Sequence, residues 1–288
     1  MPRLVFMVLA LAALVYTALC LALFLVQRSF IYYPPPKSTS ADGPTLTLHV
    51  DHATVLVSTR TVPGSEAVIY FGGNAEDVSY SLPTLADAFP NRSLFALHYR
   101  GYGGSTGKPS EAALIADALV LFDRVHAEHP RITVIGRSLG SGIAVHLASE
   151  RPVERLVLVT PYDSLLAIAS SQFHYFPLTW LMLDKFESWR YAPKVSAPTQ
   201  LIAAQNDEVI PLASTEALFE HLPRSLATLS VIPGVGHNTI SESPQYVALV
   251  AGSSSAMISK PEEIRNGHEP HSDCDHQNIV CDKVRKDH

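Results

Sequence analysis

Hydrophobic residues follow two distinct patterns along this chain, and the first is a single unbroken run. The 23 residues from Leu4 to Val26 are uncharged and mostly apolar. As a helix they would extend about 34 Å, enough to cross a hydrocarbon core of ~30 Å. We predict an uncleaved, single-pass membrane anchor over residues 1–30, because the run is longer than a signal-peptide core and no clear cleavage site follows. A cleaved signal peptide and a buried helix are the alternatives, and cationic residues on both flanks leave the membrane face open.

The second pattern starts near residue 45 and consists of short apolar runs that alternate with helix-compatible stretches. Such alternation predicts an α/β fold with a mostly parallel central sheet and helices on both faces. The predicted strands are Ala67–Phe71, Ser93–His98, Arg131–Ile135, Arg155–Thr160, Thr199–Ala204 and Leu226–Ile232. The predicted helices include Glu111–His126, Leu139–Ser149 and Leu212–His221. Two earlier runs, Leu46–Val50 and Thr54–Ser58, alternate more strongly and predict an antiparallel edge.

One connection in this pattern is unusually long, with almost forty residues between Thr160 and Thr199. Long insertions in compact domains are often lids or binding elements. We predict a small cap over residues 161–198, within a catalytic domain that spans residues 31–251. Its apolar stretch makes Phe173, Phe176 and Trp180 candidate substrate-binding residues. The alternative is that these side chains only pack the cap onto the core.

Composition restricts the remaining possibilities. With 47% apolar residues, 288 residues suffice for one sizeable domain, and a net charge of −6 provides no basic surface for nucleic acid. The polar segment 252–288 cannot bury enough apolar surface to fold, so we predict a disordered tail. Its Cys274 and Cys281 lack the close spacing of a metal site, and no metal or cofactor is predicted. No cysteine lies between residues 21 and 273, which excludes a thiol nucleophile in the catalytic domain.

The strongest motif is Gly136-Arg137-Ser138-Leu139-Gly140, which has the form G-x-S-x-G. An apolar strand precedes it and a helix-compatible, small-residue run follows. This strand–turn–helix context places a serine hydroxyl at a sharp, exposed corner, as a nucleophile requires. Ser138 is therefore the candidate nucleophile.

A serine hydroxyl needs a base to take its proton, and the base needs an acid to orient it. Asp207 and His237 each directly follow a predicted strand, in the chain order serine, acid, histidine. We predict Asp207 as the acid and His237 as the base. Glu208 is the nearby alternative acid, and Asp163 and Asp184 are more distant ones.

A serine mechanism also needs donors for the negatively charged oxygen of the intermediate. One predicted donor is the backbone N–H of Leu139, directly after the nucleophile. The second is predicted to be the backbone N–H of Asn74, in the glycine-containing loop Gly72-Gly73-Asn74 that follows a strand.

These motifs together resemble the α/β-hydrolase superfamily, and within it the small membrane-anchored depalmitoylase-like and bud-emergence-type serine hydrolases. The similarity covers roughly residues 28–250. It includes the segments Arg28–Pro34, Gly73-Asn74-Ala75, Tyr99–Gly103, Gly136–Gly140 and Gly236-His237, together with Asp207. Two departures stand out: family members usually have His-Gly where this chain has Gly72-Gly73, and often aspartate where it has His98.

The expected function is hydrolysis of a carboxylic ester or thioester through an acyl-enzyme. An anchor and an apolar cap suggest a lipid-like acyl substrate reached from the bilayer. A serine peptidase or amidase is the alternative enzyme, because the same triad cleaves amides. The alternative of another class is a catalytically silent, membrane-tethered binding protein.

Residues 4–26 are expected to hold the protein in the membrane fraction after alkaline carbonate washing, because about 20 apolar residues insert essentially irreversibly. Immunoblots of pellet and supernatant measure this. Recovery in the supernatant, with a mature N-terminus beyond residue 20, would show a cleaved signal instead.

Overall fold

The computed structural model describes residues 1–36 and 45–252. Residues 253–288, which make up nearly all of the predicted tail and include Cys274 and Cys281, lie outside the described residues. The predicted disorder of this tail therefore stays a prediction.

Strands and helices alternate through the described residues. The strands are β1 (Thr45–Val50), β2 (Ala53–Arg60), β3 (Glu66–Phe71), β4 (Ser93–Leu97), β5 (Arg131–Arg137), β6 (Arg155–Val159), β7 (Thr199–Ala204) and β8 (Ala227–Ile232). The helices are α1 (Pro2–Ile31), α2 (Leu82–Ala88), α3 (Glu111–His126), α4 (Leu139–Glu150), α5 (Leu165–Gln172), α6 (Leu178–Leu181), α7 (Leu212–His221) and α8 (Pro244–Ala251). Short 3₁₀ turns occur at Val78–Ser81, Ser188–Arg190, Ala192–Lys194 and Ile240–Glu242.

All these strands form one sheet of eight, in the order β1-β2-β4-β3-β5-β6-β7-β8. Strands β3 to β8 are parallel to one another, whereas β2 pairs antiparallel with both β1 and β4 at one edge of the sheet. The predicted fold class, including the antiparallel edge, is confirmed. Because the strands β3 to β8 all point the same way, their carboxyl ends meet at one edge of the sheet.

The sheet is covered on both faces, which explains why its central strands read as continuous apolar runs. In β3, Ala67, Ile69 and Phe71 face a core that includes residues of α3 and α4. Val68 and Tyr70 face a second core that includes residues of α2 and α8. This alternation follows from the two-residue repeat of a strand.

Helix α1 extends five residues beyond the predicted apolar run and is 30 residues long. None of its side chains is buried, and the helix is long and apolar enough to cross a membrane. A signal sequence near the N-terminus has the same length and composition. It ends before the prolines at 34–36, which cannot continue a helix. Tyr32, the first residue after it, is only 4% exposed and packs in the first core, so the end of α1 is fixed to the folded body.

The segment between β6 and β7, predicted as a cap, contains α5, α6 and two of the 3₁₀ turns. Ser164 begins α5 by accepting a hydrogen bond from the Ala167 amide. Its most exposed large apolar side chains, Phe173, Tyr175, Trp180 and Leu183, lie between residues 173 and 183, whereas Phe186, Ala192 and Val195 are buried in the core. The stretch from 173 to 183 is therefore the part of the segment best placed to face a ligand or a membrane.

Candidate active site

The structure brings Ser138, Asp207 and His237 together at the carboxyl edge of the sheet. Ser138 directly follows β5, Asp207 lies just after β7, and His237 lies just after β8. Their proximity follows from topology, because each loop leaves the same edge of a parallel sheet.

Ser138 stands at a strained turn between β5 and α4. Its φ of 48° and ψ of −117° are rare for a residue with a side chain, and such strain is often found at functional sites. The turn depends on the two glycines of the motif. A Cβ at Gly136 would lie 2.5 Å from the Gly140 carbonyl oxygen, and one at Gly140 would overlap the Phe71 carbonyl group. The absence of side chains there lets α4 begin directly against the sheet.

The three side chains form a continuous hydrogen-bonded chain. The Ser138 Oγ lies 3.0 Å from His237 Nε2. His237 Nδ1 lies 2.9 Å from Asp207 Oδ2 and 3.0 Å from Oδ1. The Asp207 Oδ1 also accepts hydrogen bonds from the amides of Val209 and Ile210, which fix the carboxylate in its loop. All three side chains are largely shielded from water.

The alternative acids have other partners. Glu208 accepts a hydrogen bond from the backbone N–H of His237 at 3.2 Å, so it supports the loop and not the imidazole. Asp163 accepts from the Ser214 hydroxyl, and Asp184 pairs with Arg28. Among the candidate acids, only Asp207 contacts the His237 ring in the described structure.

The two amides predicted as oxyanion donors are both free to donate. Neither the Leu139 N–H nor the Asn74 N–H is hydrogen-bonded to another group of the described chain. Leu139 is the first residue of α4, where an amide has no partner within the helix. The loop Gly72-Gly73-Asn74, called the oxyanion loop below, also lies close to Ser138. A Cβ at Gly73 would be 3.5 Å from the Ser138 Cβ.

The Asn74 side chain connects this loop to the end of α1. Its Nδ2 donates to the Ile31 carbonyl oxygen at 2.7 Å, and its Oδ1 accepts from the Tyr33 amide at 2.9 Å. The Tyr102 hydroxyl also donates to that Oδ1, at 2.8 Å. Helix α1 is therefore bonded directly to the loop that carries the second candidate donor.

Glu76 is a site residue that the sequence analysis did not identify. Its Oε2 accepts from the Gly73 amide at 2.6 Å and lies 3.2 Å from Arg137 Nη1. Its Oε1 accepts a hydrogen bond from the Tyr70 hydroxyl. The pKa of Tyr70 is raised well above its usual value, mainly because the hydroxyl is buried and secondly because the Glu76 carboxylate is close. Arg137 in turn donates to the His237 carbonyl oxygen. The sequence signals that could have found this network are an Arg in the x position of the motif and an acid three residues after Gly73.

The two departures from the family pattern have local explanations. A Cβ at Gly72 would lie 2.5 Å from Val78 Cγ1, so the neighbouring turn fills the space where a side chain would start. His98 is buried, and burial lowers the pKa of its imidazole, which favours the neutral form. Its Nε2 lies 2.8 Å from the Ser58 hydroxyl, which gives the ring a neutral partner.

The candidate substrate-binding residues of the cap do not act as one set. Phe173 lines an apolar groove between α1 and the cap. The Phe176 ring stacks on Tyr16, with centroids 6.1 Å apart. Trp180 is 85% exposed and does not line the groove, because α6 turns its side chain outward.

Potential metal ligands and cysteines do not cluster at this site in the part of the chain that the structure describes. Among residues 1–36 and 45–252, no group of three or more metal-binding side chains occurs. Cys20 is unpaired and lies in α1, away from the triad residues in sequence.

Comparisons with known proteins agree with this fold. A family model described as "alpha/beta hydrolase fold" matches residues 66–192, and one described as "Serine aminopeptidase, S33" matches residues 182–244. An uncharacterised protein of Mycobacterium tuberculosis is 34% identical over 250 residues, which cover 80% of this chain and 87% of that protein. The chain belongs to the α/β-hydrolase superfamily.

Other relatives share part of their length with this chain. The alpha/beta hydrolase domain-containing protein aho-3 of Caenorhabditis elegans is 34% identical over 65% of this chain and 57% of that protein. The alpha/beta hydrolase domain-containing protein 17C of Xenopus tropicalis is 33% identical over 65% of this chain and 61% of that protein. Among solved structures, the Pyrococcus furiosus esterase Pf2001 has a TM-score of 0.60 at 17% identity, covering 76% of this chain and 97% of that one. The membrane-anchored subgroup suggested by the sequence stays a prediction.

Asp207→Asn is expected to preserve the fold and lower kcat strongly, by about 10⁴-fold if it behaves like other triads, because the imidazole loses its orienting charge. Glu208→Gln keeps a group that accepts from the His237 amide and should cost far less. Steady-state ester hydrolysis measures both. A larger loss for Glu208→Gln than for Asp207→Asn would contradict the assignment of the acid.

Glu76→Gln is expected to lower kcat by about tenfold or more with little change in KM, because the oxyanion loop and Arg137 lose a shared charged acceptor. Asp77→Asn is the matched control, since among the described residues the Asp77 carboxylate is hydrogen-bonded only to Ser79, in its own turn. Equal effects of the two variants on kcat would show that Glu76 has no special role.

Proposed function

We propose that this protein is a serine hydrolase that cleaves carboxylic esters or thioesters through an acyl-enzyme intermediate. The observation that carries the proposal is the hydrogen-bonded chain from Ser138 Oγ through His237 to Asp207, with separations of 3.0 and 2.9 Å. This is the spacing that a base needs in order to take the serine proton. One of the solved structures with this fold is described as an esterase, which agrees with the proposal.

The first half of the reaction forms the acyl-enzyme. Ser138 Oγ attacks the carbonyl carbon while its proton moves to His237 Nε2, and Asp207 stabilises the resulting imidazolium. The negative charge that develops on the carbonyl oxygen is held by the amides of Leu139 and Asn74. The intermediate then expels the alcohol or thiol, which takes the proton from His237.

The second half regenerates the enzyme. A water molecule gives its proton to His237 Nε2 and attacks the acyl carbon, through a second intermediate held by the same amides. Ser138 then leaves as an alcohol, with the proton returned by His237. The products are a carboxylic acid and the alcohol or thiol released earlier.

We further propose that α1 is a permanent membrane anchor. A signal peptide is removed after export and has no need to contact the folded body. Here the Gln27 side chain bonds the Leu181 carbonyl oxygen and the Leu183 amide, and Arg28 pairs with the buried Asp184 at 2.8 Å. Removing α1 would leave Asp184 without its cationic partner, so these contacts favour a retained helix.

Amide hydrolysis is the second candidate, favoured by the match of residues 182–244 to the serine aminopeptidase model. The same triad would serve, since only the leaving group differs. An ester and an anilide of the same acyl group, assayed side by side, distinguish the two. Faster cleavage of the anilide would favour the amidase.

Ser138→Ala is expected to abolish turnover and fluorophosphonate labelling while leaving the circular dichroism spectrum unchanged, with a loss of at least about 10⁴-fold in kcat. Ser149→Ala is the matched control, because within residues 1–36 and 45–252 its hydroxyl donates only to the His146 carbonyl oxygen, inside α4. Ester turnover by Ser138→Ala near the wild-type rate would refute the proposal. A wild-type protein that neither turns over nor labels would instead be a silent binding protein.

A further inference from the structure

The groove between α1 and the cap is the feature that the proposed mechanism leaves unused. It is a groove open to solvent, with a cavity volume of about 130 Å³. Its walls are apolar side chains from both elements, among them Leu23, Phe30, Ile31, Ala169, Phe173 and Leu181. The one polar residue on its wall, Gln27, has its amide engaged by the backbone of residues 181 and 183. A ligand in this groove would meet only hydrocarbon surface.

One wall residue of the groove, Ile31, is hydrogen-bonded to the loop next to Ser138. The Ile31 carbonyl oxygen is bonded to the Asn74 side chain at 2.7 Å. Asn74 directly follows Gly73, and Gly73 is so close to Ser138 that a Cβ on it would lie 3.5 Å from the Ser138 Cβ. A chain lying along the groove would therefore have one end near the oxyanion loop.

The position of the groove along α1 relates it to the membrane. The helix is about 45 Å long and exceeds a ~30 Å hydrocarbon core by about 15 Å, so its last ten residues need not lie inside the core. The groove residues Leu23 to Ile31 belong to this last part. Nearby on the cap, Trp180 is 85% exposed, and tryptophan is enriched at the lipid–water boundary.

We infer that this groove binds the acyl chain of a lipid-like ester or thioester, which enters from the bilayer between α1 and the cap. The inference rests on the proposed function and specifies its substrate class. In this arrangement α1 is one wall of the substrate site, and the acyl carbonyl is held at Ser138 while the chain extends toward the membrane. The head group or protein that carries the acyl group leaves on the aqueous side.

Filling the groove should remove chain-length selectivity. Each buried methylene is worth up to about fourfold in kcat/KM, so the wild-type ratio of dodecanoyl to acetyl ester should be large. In the full-length protein in detergent micelles, Ala169→Phe should reduce this ratio at least tenfold. Ala167→Phe, on the exposed face of the same helix, should leave the ratio within twofold. A flat wild-type profile, or equal ratios in the two variants, would overturn the inference and leave the hydrolase intact.

A binding measurement does not depend on catalysis. A diazirine-bearing hexadecanoyl ester, photolysed with Ser138→Ala, should label peptides containing Leu23 to Ile31 and Phe173 to Met182 in preference to Leu9 and Leu14. Excess unlabelled ester should compete for the groove and remove the labelling. The additional substitution Ala169→Phe should also remove it, because the larger side chain fills the groove. Uniform labelling along α1 would indicate bulk lipid and contradict the groove. Groove labelling in a protein whose wild type hydrolyses no ester would support the groove and refute the proposed function alone.

Discussion

The backbone at Ser138 turns with a φ of 48°, and the rest of the site is arranged around that turn. The turn exists because Gly136 and Gly140 present no side chains to each other or to the end of β3. It points the serine oxygen out of the sheet and starts α4 with an unpaired amide directly behind it. A residue with a Cβ at either glycine would move α4 away from the sheet and separate both the nucleophile and the amide from their partners.

Around this turn, charged groups hold three loops that are far apart in sequence. Glu76 bonds the oxyanion loop and Arg137, and Arg137 bonds the backbone of His237. Glu208 supports the same histidine loop from the other side. Buried charges are stable only when paired in this way, so a change at one member disturbs loops that it does not belong to. The geometry of the triad is thus a property of the network and not of three residues.

Much of the sheet and the triad could be predicted from the sequence because both leave local signals. Apolar runs gave the strands to within one or two residues, and the G-x-S-x-G motif located the turn. Asp207 and Glu208 are adjacent, so no local pattern could separate their partners, and only the folded loop distinguishes side-chain from backbone contact. The hydrogen bond between Asn74 and Ile31 joins residues 43 positions apart, and Trp180 is exposed because of the way α6 is oriented on the body. The periodicity of the sequence predicts neither the hydrogen bond nor the exposure of Trp180.

Helix α1, which we propose as a membrane anchor, is fixed to the folded body. A flexible tether would place the site anywhere within its reach, but Gln27, Arg28 and Ile31 are bonded to the cap and to the oxyanion loop. The body is therefore held in one orientation relative to the helix, with the exposed aromatic side chains of the cap beside it. Mass spectrometry of the acid-quenched reaction with an activated ester tests the central claim most directly. We predict one acyl adduct on the peptide that contains Ser138, absent in Ser138→Ala; ester turnover with no adduct, or with an adduct on another residue, would contradict it.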